Sequence, residues 1–139
     1  MKLILEDDNY FVCRFDKGEE VMQGIADFCR EREIGAGFFS AIGSVGELVL
    51  SYYNLENKKY EDRDFREKLE VTGVIGNVSL MKDLPLIHAH GTFSDKDMQV
   101  YGGHVKKLVV SATVEVMFTK LNGKIMREFN EETGLNLLQ

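Results

Sequence analysis

Two spacings divide the chain. From Glu19 to Arg32, apolar Val21, Met22, Ile25, Phe28 and Cys29 recur at helical intervals, with acids at the start and arginines near the end. Residues three and four apart share a helix face, and charges placed this way complement the helix dipole. The spacing predicts one amphipathic helix whose stripe is core. Most of the remainder is β-like. Asn9 to Phe15 places Phe11, Cys13 and Phe15 on one face, and Asp16-Lys17-Gly18 breaks it. Phe38 to Ile42 and Glu47 to Asn54 read as two strands joined through Gly43-Ser44-Val45-Gly46. That glycine-rich link lacks the Lys-Ser/Thr pair of a phosphate cradle and no helix pattern follows it, so it reads as a hairpin connection.

Glu67 to Met81 alternates in its first half, with Gly73 and Gly76 marking bends or bulges. Pro85 precedes a strand from Leu86 to Phe93, and Ser94-Asp95-Lys96-Asp97 forms a turn. Val100 to Leu108 and Val109 to Lys120 continue the sheet. Asn122-Gly123 is a hairpin signal before Lys124 to Phe129, and Asn130 to Leu138 reads as a short helical turn. One helix among many strands predicts an α+β fold: a mostly antiparallel sheet or open barrel with the helix packed on it. The length of 139 residues fits a single domain, 1–139, with no linker or repeat.

Composition narrows the function. The net charge of −6 argues against a general nucleic-acid binder, whose affinity depends on neutralising phosphates. Lys58-Lys59, Arg63 with Arg66, and Lys106-Lys107 are flanked by acids or apolar residues rather than forming a basic run. No stretch approaches the ~20 apolar residues of a membrane helix. The start, Met1-Lys2-Leu3-Ile4-Leu5-Glu6-Asp7-Asp8, turns acidic too early for a signal peptide. Cys13 and Cys29 form no Cys-x-x-Cys unit and read as small buried apolar residues, so the expected compartment is the cytoplasm.

The chemistry concentrates in the histidines. There are three, His88, His90 and His104. Side chains on a strand alternate faces, so His88 and His90 point to the same side, one strand-pitch apart. His104 follows Gly102 and Gly103, which allow unusual backbone conformations and close approach to a neighbour. Three neutral imidazoles with a fourth position open are the ligand set of a catalytic zinc centre. Imidazole also suits other divalent transition metals, with zinc favoured by availability. On the strand Val109 to Lys120, Val110, Ala112, Val114, Val116 and Phe118 share one face, and Ser111, Thr113 and Glu115 the other. Glu115 is therefore a candidate base or supporting carboxylate beside the metal, set against a simple solvated face.

The order of motifs resembles a known family. A strand ends before Gly18-Glu19-Glu20, and the helix leads to Gly37-Phe38-Phe39-Ser40-Ala41-Ile42-Gly43-Ser44-Val45. Tyr52-Tyr53 and Leu69-Glu70-Val71-Thr72-Gly73-Val74-Ile75-Gly76-Asn77-Val78-Ser79 follow. His88-Ala89-His90, Gly102-Gly103-His104 and Thr113-Val114-Glu115-Val116 complete the series. Over essentially the whole chain this resembles the PPC domain, the "plants and prokaryotes conserved" family. The resemblance implies an antiparallel α+β fold and a homotrimer. It also implies a histidine cluster suited to a metal, which prokaryotic stand-alone members carry and which His88, His90 and His104 match. In plants the domain follows AT-hook segments in nuclear DNA-binding proteins, the origin of the family's DNA-binding label. This chain has no such hook and is acidic.

Three functions compete. The first is a trimeric zinc protein whose open site, with Gly102 and Gly103 beside it, binds or transforms a small molecule. Zinc would lower the pKa of a bound water and polarise a substrate oxygen. The second is a DNA-binding or regulatory protein-interaction module with a structural metal or none. The third is an assembly domain whose main property is trimerisation. A closed structural zinc site normally has four protein ligands, and the two cysteines lie in distant elements, so an open site is favoured. Catalysis and simple ligand binding both fit this set.

Overall fold

The computed structural model describes residues 1–139. Strands β1 (Lys2–Asp7) and β2 (Tyr10–Asp16) lead into the single helix α1 (Val21–Glu31). Then come β3 (Gly37–Asn54), β4 (Lys59–Phe65), β5 (Leu69–Met81), β6 (Leu84–Ser94) and β7 (Val100–Lys120). A C-terminal pair, β8 (Arg127–Asn130) and β9 (Leu135–Leu138), closes the chain. The main sheet has the order β1-β2-β7-β6-β5-β3-β4, all antiparallel, with β3 also pairing β7. The sheet is open and strongly curled, and α1 packs on its inner face. No helix is long and apolar enough to cross a membrane.

The helix forms where its stripe predicts, within Glu19 to Arg32. Glu20 caps it, its carboxylate accepting from the backbone N–H of Met22 at 3.2 Å and of Gln23 at 2.6 Å. The same carboxylate accepts from the Leu108 N–H at 2.9 Å, tying the helix start to β7. Val21, Met22, Ile25, Phe28 and Cys29 are all buried. Phe28 packs edge-to-face on Phe11 and Phe118, centroids 5.3 and 5.9 Å away. Side chains of this size contribute roughly 1.5–3 kcal/mol each on burial. Cys13 and Cys29 are free and buried, and burial pushes the Cys29 thiol up to about 12, so both are inert packing residues.

Three expectations need correction. Gly43-Ser44-Val45-Gly46 is no hairpin: β3 runs straight through it as one long strand. Gly43 has φ +146°, and a Cβ there would sit 2.2 Å from the Thr113 carbonyl oxygen. Its glycine serves a bulge and a close approach, and the ladders to β5 and β7 shift register there. Second, Asn130 to Leu138 is not a helical turn but the far side of the β8–β9 hairpin, with Arg127 opposite Leu138. Third, Ala112 leaves the face of Val110, Val114, Val116 and Phe118. It is exposed because β7 bulges where Gly43 and Val45 oppose Val114 and Val110. The pattern also missed β1 and β4, and it split β7, which is one strand of 21 residues.

Candidate metal centre

The three histidines meet on the outer face of the sheet. In β6, Ala89 is buried in the core, so His88 and His90 on either side of it turn outward together. In β7, Val105 is buried and His104 beside it turns outward. The β6–β7 ladder places His90 directly opposite His104. The ring centroids stand 5.2 Å (His88–His90), 5.3 Å (His88–His104) and 5.5 Å (His90–His104) apart. One nitrogen of each lies within 4.8 Å of the others. A tetrahedral zinc with Zn–N near 2.0–2.1 Å would need N···N separations of about 3.3 Å, within reach of side-chain rotation from this arrangement.

The electrostatics favour neutral imidazoles. Burial, followed by the neighbouring His88 and His90, pushes His104 down to about 4. Burial and then Arg127 lower His88 as well. Both imidazoles are therefore neutral at physiological pH, the form that ligates metals. The Nδ1 of His104 is buried and has no hydrogen-bond partner. A buried imidazole nitrogen left without a partner is costly, and a ligand such as a metal ion would relieve that cost. The Tyr60 ring lies against His104, centroids 5.1 Å apart.

Beyond the histidines, the sheet and the C-terminal hairpin enclose a cavity of about 360 Å³. Tyr60, His88, His104, Arg127, Leu135 and Leu137 are among its walls. Arg127 was not singled out by the sequence. Its guanidinium donates to Ser79 Oγ (2.7 Å), Asn77 Oδ1 (3.0 Å) and the Asn136 carbonyl (2.8 Å), and its Nη2 stands 3.5 Å from His88 Nδ1. The partners lie up to 50 positions away, so no local pattern could have marked it.

The comparison with known families fits this arrangement. The profile of the Plants and Prokaryotes Conserved (PCC) domain matches residues 5–122. The chain belongs to that family. No curated protein matches the chain. Among solved structures, a candidate DNA-binding protein from Bacteroides thetaiotaomicron superposes with TM-score 0.94 at 28% identity, covering 97% of this chain and 94% of that one. A PPC protein from Pyrococcus horikoshii has TM-score 0.89 at 30% identity, over 94% and 90%. A metal-containing protein from Archaeoglobus fulgidus has TM-score 0.87 at 35% identity, over 100% and 99%.

The PCC fold separates the remaining site candidates. Glu115 does not join the histidines within the chain. It stands in β7 opposite Arg14 and Ile42, and at about 3.3 Å per residue lies roughly 35 Å along the strand from His104. The alternation that gave it a polar face says nothing about position along the strand. Gly102 and Gly103 do lie beside the cluster, opposite Thr92 and Gly91, and line an open depression with His90. Neither has a positive φ. Their service is close packing: a Cβ on Gly102 would meet the Gly91 carbonyl at 3.2 Å, and one on Gly103 the Ser51 carbonyl at 3.1 Å. Asp62 is the carboxylate that acts on His104, raising its proton affinity slightly. It accepts from Ser51 Oγ at 2.7 Å and pairs with Lys106.

Proposed function

We propose that this PCC-domain chain is a cytoplasmic homotrimeric metal protein. His88, His90 and His104 hold one divalent transition ion, zinc, and leave a position open to a small molecule. The observation that carries this reading is the convergence of three imidazoles, one nitrogen of each within 4.8 Å of the others, with the His104 Nδ1 buried and unpartnered. The metal-containing relative from Archaeoglobus fulgidus supports it. Bound zinc would supply a Lewis acid and an acidified water. The chain's own contribution is two neutral imidazoles on one strand face, a third across the ladder, and a cavity that shields one side. Metal analysis of protein purified without chelator tests it: the reading expects one ion per chain, lost in His90→Ala.

Assembly has its own support. Phe38, Ile42, Ile75 and Met117 are exposed by 51%, 55%, 73% and 48% and share the outer sheet face. One helix covers only the inner face, and an apolar sheet face of this kind is normally buried by association. Sedimentation equilibrium at micromolar concentration should return a trimer, and a monomer would remove this part.

The second reading is DNA binding, favoured by the description of the Bacteroides thetaiotaomicron relative. Against it stand the charge of −6 and the pairing of Arg14, Arg30, Arg32, Lys106 and Lys107 with carboxylates. Submicromolar duplex binding at physiological salt with a steep salt slope would favour it over the small-molecule reading.

A further inference from the structure

Arg127 is a half-buried cation with no counter-charge. Its partners, Ser79, Asn77, the Asn136 carbonyl and the His88 imidazole at 3.5 Å, are all neutral. No carboxylate pairs with it, although exposed arginines elsewhere on the chain do find one. An arginine so placed in a folded protein ordinarily faces an anion. With Ser79, Asn77, the Asn136 carbonyl and the Nη2 contact to His88 Nδ1 all counted, one Nη1 N–H is left to donate a charge-assisted bond to a carboxylate.

The surroundings define the rest of the ligand. The cavity beside Arg127 is also lined by His88 and His104. Leu86, Ile87, Leu135 and Leu137 supply apolar wall, and no second lysine or arginine lines it. A dianion such as phosphate would be left with one cation and an apolar lining. A monoanion with a small hydrocarbon body matches both halves. The wall that carries Arg127 belongs to the β8–β9 hairpin, beyond the family match at residue 122. Tyr53 Oη donating to the Thr133 carbonyl at 2.8 Å and Lys58 Nζ donating to the Glu131 carbonyl at 2.6 Å fasten that hairpin to β3 and to the turn before β4.

We propose that this cavity is the binding site of a small aliphatic carboxylate. Its carboxyl group accepts from the Arg127 guanidinium beside the histidine cluster, and its hydrocarbon part lies against Leu135 and Leu137. The proposal rests on the metal-centre reading for what lies at the histidine end, and it assigns the C-terminal hairpin the role of selecting the ligand.

Isovalerate, acetate and inorganic phosphate serve as probes, titrated into metal-free and zinc-loaded full-length protein and followed by amide chemical shifts. The expected result is saturable binding of isovalerate, tighter than acetate or phosphate, with shifts centred on Arg127, Leu135 and Leu137. Arg127→Gln should weaken it by about 10- to 100-fold, the range of a lost charge-assisted pair. Leu137→Glu leaves the bonds of Arg127 intact and sets a competing carboxylate at the mouth, so it should weaken isovalerate by at least about tenfold too. It separates ligand capture from a role of Arg127 in merely holding the hairpin. Phosphate binding more tightly than isovalerate, shifts elsewhere, or wild-type affinity in both variants would each overturn the proposal. Failure of the metal reading shows separately, as no zinc uptake, while the metal-free titration still reads the Arg127 site.

Discussion

The two faces of the sheet obey different rules. On the inner face, α1 and the strands bury Phe11, Phe15, Phe28, Phe39 and Phe118 with no polar atom among them. Aromatic rings meet edge-on or stacked at 5.3 to 6.5 Å, and both helix ends are capped, by the Glu20 carboxylate and by the Arg32 N–H. On the outer face, between β6, β7 and the C-terminal hairpin, an imidazole nitrogen has no partner and a guanidinium has no counter-ion. The inner face is built for stability. The outer face leaves bonding capacity unused within the chain, which is what a binding site requires of its residues.

The largest effect should come from the inner face. Phe118→Ala removes the ring that Phe11, Phe28 and Phe39 all touch. A loss of about 3–5 kcal/mol in urea unfolding is expected. By contrast, His90→Ala on the exposed outer face should change the stability of metal-free protein by less than about 0.5 kcal/mol. It should still lower zinc affinity by more than the 10–100-fold typical of losing an outer-shell partner. If the two substitutions destabilised the metal-free protein equally, the division between faces would fail.

How far the sequence told this story depends on the face. The inner face was legible because its signals are local: the Val21-to-Cys29 stripe, the acids before it, and the alternation of Phe11, Cys13 and Phe15. The histidine cluster was legible too, since His88 and His90 share a face by alternation alone. β4 was not, because Lys59-Tyr60-Glu61-Asp62-Arg63-Asp64 has no apolar alternation and only Phe65 is buried. β1 escaped because Leu3, Ile4 and Leu5 are all exposed. The Gly43–Gly46 segment misled because a glycine can serve a bulge as well as a turn. Arg127 was invisible because its role is set by Ser79, Asn77 and His88, brought to it only by the hairpin crossing the sheet.

A middle-sized effect probes the bulge that bends β3. Gly43→Ala places a Cβ 2.2 Å from the Thr113 carbonyl at a positive φ, so unfolding should come earlier by about 1–3 kcal/mol. Gly46→Ala, whose Cβ would meet only Ser111, its Cβ at 3.4 Å and its Cα at 3.8 Å, should cost less. Equal costs would show that the strand can relax around Gly43.

The smallest effect is a pH dependence of the metal-free protein. His104 binds its proton less readily folded than unfolded, about 4 against 6.5. The unfolded chain therefore takes up the proton first, and stability should fall as pH drops from about 6.5 to about 4, with its full value above that window. Urea midpoints of the metal-free protein read this, and His104→Gln should flatten the slope. Zinc affinity should fall over the same acidic direction, since the ligating form is the neutral imidazole.

The central claim is that His88, His90 and His104 form one metal site with a position left open. The most direct measurement is the visible spectrum of cobalt-substituted protein, titrated to saturation alongside metal analysis of the zinc form. The account predicts one ion per chain, the absorption of a tetrahedral site with nitrogen ligands, and its disappearance in His90→Ala. Protein that takes up no ion, or an unchanged cobalt spectrum in His90→Ala, would contradict it.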